Sequence, residues 1–223
     1  MNWKVVKRGI GWSRDAWYYP LKAFIKDNQN IKLDSSLEIG ASEYGSLAPF
    51  LLEVSNKITI GYFQCDIAKL NNNLSAFNCD TEAQYVDITN IDGKYDLIIA
   101  KSVLGGVFRE ADSTLDDVNK LIKKIIKNNL NSGGVLLMLN NGKSFFESIA
   151  VRFGARKNNW RFFRPEDFTG VSHIYTFGFL SFFSSESRLG FIGKIIDYTL
   201  YFLDLFLSKI THHPTVILTV YRK

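Results

Sequence analysis

The run Glu38-Ile39-Gly40-Ala41-Ser42-Glu43-Tyr44-Gly45 gathers an acid, a glycine turn and a hydroxyl in a way that suits a charged small molecule. A glycine in such a turn lets the backbone pass close to a ligand with no Cβ in the way. A helix that follows points unpaired N–H groups and a partial positive charge at the same spot, which favours a carboxylate or phosphate by ~0.3–1 kcal/mol. A tight turn without a ligand would use the same residues. Asp87, followed by Ile88, closes one apolar segment, and Asp66 lies just beyond another. Either acid could meet a ligand or serve as a turn or loop aspartate. Lys101 and Ser102 follow a third apolar segment; Lys101 could orient a substrate oxygen or a backbone carbonyl, or stand in solvent. Gly105-Gly106 beside it would make a close-approach loop or a plain helix start.

Residues 152–164 hold Arg152, Arg156, Lys157, Arg161 and Arg164 with no acid, interleaved with Trp160, Phe162 and Phe163. Guanidinium groups fork onto phosphate and an indole stacks on a sugar face or a base, so Trp160 and Arg161 are candidates for binding an anionic acceptor. The same composition fits a solvated basic turn whose aromatics return to the core. The three histidines, His173, His212 and His213, lie in no catalytic motif, so no general base is assigned. Cys65 and Cys79 have the spacing of neither a zinc site nor a disulfide framework, which leaves no metal expected and a reducing, cytoplasmic setting as the default.

Positioning these groups requires strands alternating with helices. Leu37–Ala41, Lys57–Phe63, Ala83–Ile88, Tyr95–Ala100 and Val135–Leu139 read as strands, the last after a turn at Asn131-Ser132-Gly133-Gly134. Ser46–Val54 reads as a helix with Ser46 as N-cap and Pro49 in its first turn. Thr114–Asn129 reads as an amphipathic helix, with Leu115, Val118, Leu121, Ile122, Ile125 and Ile126 on one face. This order implies a parallel sheet covered on both faces. Strand-like residues at His173–Phe183, a long apolar helix at Leu189–Ile210 and a closing strand at Thr215–Tyr221 follow. We expect one domain over residues 1–223, with 1–35 a helical N-terminal segment and 36–223 the core.

In order along the chain, LEIGASEYG, then YVDITNI with KYDLIIAKSVLGG, then LNSGGVLLMLNNG, and finally TVILTVYRK resemble the motifs of class I S-adenosylmethionine-dependent methyltransferases. That resemblance implies an α/β, Rossmann-like, doubly wound seven-stranded sheet with an antiparallel last strand, and S-adenosyl-L-methionine as cofactor. It implies that Glu38, Gly40, Ala41, Ser42 and Gly45 form the cofactor turn. An acid, here Asp66, would grip the ribose hydroxyls. Asp87 would meet the adenine amino group, with the Ile88 N–H beside it, and Lys101 would stand at the edge where the methyl group emerges. The chain departs from the pattern at Ser42, where a glycine is usual, at Tyr44, which crowds the third glycine, and at Gly61-Tyr62-Phe63, which ends the second strand without an acid. KSVLGG and NNWRFFRPEDF further resemble methyltransferases of bacterial surface-polysaccharide (O-antigen or capsule) gene clusters, which implies O-methylation of a saccharide or glycan precursor.

The rival readings are a methyltransferase acting on RNA or another small molecule, a dinucleotide-dependent oxidoreductase, and a non-catalytic protein that kept the fold. A net charge of +5 over 223 residues permits an anionic partner but is modest for nucleic acid. With 22% charged and 46% hydrophobic residues the chain is not of disordered composition. No apolar run reads as a spanning helix. The broad apolar face of 189–210 fits packing on the sheet, a dimer surface, or peripheral contact with the inner face of a membrane.

Overall fold

The computed structural model describes residues 14–29, 31–144, 159–180 and 186–223. Arg152, Arg156 and Lys157, the first thirteen residues, and the end of the stretch read as His173–Phe183 lie outside them. The strands are β1 (Leu33–Ile39), β2 (Ser55–Tyr62), β3 (Ala83–Tyr85), β4 (Tyr95–Lys101), β5 (Leu130–Asn141), β6 (His173–Phe177) and β7 (Val216–Arg222). They form one sheet in the order β3-β2-β1-β4-β5-β7-β6, in which β7 runs antiparallel to both neighbours and the other ladders are parallel. This is the doubly wound, seven-stranded arrangement with a reversed last strand.

The helices are α1 (Arg14–Asp27), α2 (Ala48–Val54), α3 (Ile67–Ala76), α4 (Leu104–Val107), α5 (Leu115–Asn129) and α6 (Glu186–Leu207). Strand alternation sends Leu97, Ile99 and Leu137 to one face, under α1 and α2, and Ile98, Leu136 and Met138 to the other, under α5. The expected stripe of α5 supplies Val118, Leu121, Ile122 and Ile125 to that second layer. Its start is fixed by a capping box in which the Thr114 side chain accepts from the Asp117 N–H and the Asp117 carboxylate accepts from the Thr114 N–H.

Three local expectations change. Ser46 does not cap α2: the cap position is Leu47, with no side-chain bond, and the Ser46 carbonyl instead accepts from the Tyr18 hydroxyl of α1. The Gly-Gly turn lies inside β5, where Gly133 at φ +76° accompanies a register shift rather than preceding the strand. The third strand stops at Tyr85, because Asp87 turns back through a bridge to Asn90.

The β6–β7 connection sets the outline of the active edge. Phe177 pairs with Val216, and Val216 with Asn141 at the end of β5. The connection that carries α6 therefore leaves and re-enters the sheet at the carboxyl edge, where β1 and β4 also end.

Candidate active site

Glu38 and Lys101 share one face of the sheet. Glu38 lies opposite Ile99 across the β1–β4 ladder, and Lys101 stands two residues beyond Ile99 on the same side of β4. The offset makes them diagonal neighbours, close enough to feel each other's charge without a direct bond. Glu38 is 2% exposed, and its Oε2 has no hydrogen-bond partner. Burial pushes its carboxyl up to about 8, with Lys101 pulling the other way. Burial likewise brings the Lys101 ammonium down to about 8, against the attraction of Glu38. Trp17 of α1 covers the lysine: the Lys101 Nζ lies 4.9 Å from its ring centroid.

Both side chains face a cavity of about 460 Å³ at the carboxyl edge. Gly40, Ala41, Ser42 and Ser46 line it from the loop after β1, and Phe63 and Gln64 from the end of β2. Ser102, Val103, Gly106 and Arg109 line it from the region after β4, and Trp160 closes another wall. Gly40 sits at φ +74°, and a Cβ there would lie 2.4 Å from Val103 Cγ2, so this turn requires glycine on two grounds. Ser102 also adopts a left-handed φ of +58°, held by its N–H to the Leu139 carbonyl (2.7 Å) and by Asn141 Nδ2 to its hydroxyl (3.3 Å). A non-glycine residue so placed stores ~1 kcal/mol or more and is typical of a functional edge.

Gly105 and Gly106 are approached by residues 160–161. A Cβ on Gly105 would lie 2.4 Å from the Arg161 carbonyl oxygen, and one on Gly106 would lie 3.0 Å from the Trp160 ring. The Arg161 N–H bonds the Gly105 carbonyl at 3.0 Å, which fixes the indole beside α4.

Of the residues marked from the sequence, Glu38, Gly40, Ala41, Ser42, Lys101 and Trp160 line this cavity, whereas Gly45, Asp66, Asp87, Ile88 and Arg161 do not. Gly45 shapes the loop from outside, at φ +55° with Leu74 packed behind it. Asp66 caps α3, accepting from the Lys69 N–H at 3.1 Å. Asp87 accepts from the N–H and hydroxyl of Thr89, both at 2.8 Å, and faces a neighbouring cavity with Gln84, Tyr85 and Asn90. Ile88 is buried in the α5 layer.

Arg161 corrects the acceptor reading. It is 7% exposed, and its guanidinium donates to the carbonyls of Phe108 (2.9 Å), Arg109 (3.3 Å) and Ser113. It holds the 108–113 loop and presents no charge to the cavity. Tyr44 leaves the turn clear, because its ring packs against the Lys69 ammonium. Trp17, Phe63, Gln64 and Arg109 carried no local signal in the sequence. Of these, Phe63 and Gln64 occupy positions the fold makes legible, the first two residues after β2. His173, His212 and His213 lie outside the cavity.

No family model matches the chain. No curated protein matches it either. Solved structures do. The geranyl diphosphate C-methyltransferase of Streptomyces coelicolor A3(2), crystallised with S-adenosyl-L-homocysteine, superposes with a TM-score of 0.56 at 11% identity, over 90% of this chain and 77% of that one. The magnesium protoporphyrin IX methyltransferase (ChlM) of Synechocystis PCC 6803 gives 0.55 at 10% identity, over 93% and 83%. The N-methyltransferase NodS of Bradyrhizobium japonicum WM9 gives 0.52 at 12% identity, over 94% and 86%. The chain has the class I methyltransferase fold. At these identities the likeness speaks for architecture alone, and the three names span carbon, nitrogen and porphyrin chemistry.

Proposed function

We propose that the protein is an S-adenosylmethionine-dependent methyltransferase whose cofactor occupies the cavity between Gly40 and Lys101. The observation that carries this reading is the buried Glu38 carboxylate oxygen without a partner, lining a cavity whose adjoining turn admits only glycine at position 40. An ammonium is the group such an oxygen lacks, and the methionine part of the cofactor has one. A charged hydrogen bond of this kind is worth ~1.5–3 kcal/mol. The Ser42 N–H would face the carboxylate of the same moiety, the Ala41 N–H being donated to the Gly61 carbonyl (2.9 Å). Gln64, in the place of a ribose-binding acid, would hydrogen-bond the sugar hydroxyls, with the exposed Phe63 ring flanking the base. The bound cofactor supplies a methyl group on a positively charged sulfur. The chain's part is to align the acceptor, a contribution that reaches effective molarities of ~10⁵–10⁸ M in well-ordered cases.

The acceptor we favour is a saccharide or glycan precursor methylated on oxygen. Trp160 gives the cavity a flat aromatic wall suited to a sugar face, and Arg109 adds a cation beside it. A cytoplasmic protein working at the inner face of a membrane fits such an acceptor.

Calorimetric titration with S-adenosylhomocysteine and with NADH tests the cofactor reading. Binding of the first and not the second is expected. Tight NADH binding would make the protein a dinucleotide enzyme. No binding of S-adenosylhomocysteine at millimolar concentration would leave a non-catalytic protein on this fold.

A further inference from the structure

Helix α6 is inverted for a helix facing water. Ile192, Ile195, Phe202, Phe206 and Ile210 follow one another along one face into the turn beyond its end, each between 54% and 75% exposed. Tyr198, at 76%, flanks them. Its other face turns a polar group inward: Asp204 is buried and accepts from the Leu180 N–H at 2.7 Å, and the neighbouring Tyr201 packs on Phe177. Only exposed Thr199 interrupts this face; scattered exposed apolar residues are ordinary, but five large ones along one face mark a contact surface.

The surroundings indicate what covers it. Among the described residues no helix is long and apolar enough to cross a membrane. Lys209, His212 and His213 are exposed at the end of the stripe, and Arg164 joins the two histidines around a surface cavity of about 440 Å³. Glu166, salt-bridged to Arg164 at 3.9 Å, is the exposed acid of this patch among the described residues. An apolar face ended by cations complements anionic head groups above acyl chains.

We propose that α6 docks the protein onto an anionic lipid bilayer, lying in the plane of its surface. The isoleucines and phenylalanines enter the acyl boundary, while Arg164 and Lys209 stay at head-group level. The proposal stands on this surface and does not depend on methyl transfer.

The test is sedimentation of the full chain with vesicles of phosphatidylcholine alone and of phosphatidylcholine mixed with phosphatidylglycerol. Preferential binding to the anionic vesicles, weakened by salt, is expected. Phe202→Glu with Phe206→Glu should reduce partitioning by about tenfold or more, with an unchanged melting profile, and Lys209→Glu should reduce it on anionic vesicles alone. Absence of binding, equal binding to both vesicles, or binding untouched by the double substitution would overturn the proposal. So would a dimer in light scattering that the double substitution dissociates, because the stripe would then belong to a second copy.

Discussion

Stability of the ligand-free protein should have a minimum near pH 8, set by Glu38 and Lys101. The Glu38 carboxyl titrates at about 8 in the folded chain against an ordinary 4.5, so the native state holds its proton where the unfolded state has released it. Stability from this group falls as pH rises from 4.5 to 8 and is level above that. Lys101 titrates at about 8 against 10.5, so the unfolded state holds the extra proton there, and stability rises from 8 to 10.5. At one pH unit per 1.36 kcal/mol, burying Glu38 costs roughly 3 kcal/mol by neutral pH. Because Glu38 is mainly protonated at neutral pH, Glu38→Gln removes that cost without removing a charge beside Lys101, a gain of about 3 kcal/mol there, or roughly 6–12 °C in melting temperature for a chain of this size. The same substitution should weaken S-adenosylhomocysteine binding by roughly 10–100-fold, through the lost charged hydrogen bond. Differential scanning fluorimetry across both pH windows, paired with calorimetry, measures the two effects, whose opposite signs no general structural damage can imitate. A stability difference between the wild type and the Glu38→Gln variant that does not change with pH between 4.5 and 8, or an unchanged affinity, would refute the reasoning.

Gly40→Ala should abolish detectable S-adenosylhomocysteine binding and lower stability by about 1–3 kcal/mol, from its left-handed backbone and the Val103 contact; chemical denaturation and calorimetry check both. Gln64→Ala should weaken that binding by about threefold to tenfold, the loss of one neutral hydrogen bond, whereas Asp87→Ala should leave it within about twofold by the same titration. Arg161→Ala should destabilise the fold by about 3 kcal/mol in urea unfolding, because it strands the carbonyls of Phe108, Arg109 and Ser113.

The sheet was legible because its inner strands are short continuous apolar runs, buried on both faces, and α5 repeats its apolar face at helical spacing. Strand alternation then sends Leu97 and Ile99 to one layer, and helical spacing sends Val118 to the other. The same arithmetic extends to Glu38 and Lys101, which the sequence marks singly and the β1–β4 register brings to one face. It fails for Asp66 and Asp87, because a short acidic side chain competes for nearby backbone N–H groups, and a local cap or turn satisfies it before any ligand can. Trp17 reaches Lys101 only through the packing of α1, which no local pattern encodes.

Residues 160–164 show the limit most clearly. As a string they are cations alternating with rings, and composition treats the cations alike. The fold separates them by what each finds. Arg161 lies where the 108–113 loop leaves carbonyls unpaired, so its five fixed donors make it structural. Arg164 meets solvent and Glu166, and stays available to a surface. Trp160 goes to the cavity because Gly105 and Gly106 leave room for the backbone to pass there. The glycine pair was visible from the start, but its function lies in a segment more than fifty residues downstream. In this protein the acceptor wall is written in the fit between those two stretches, and neither alone discloses it.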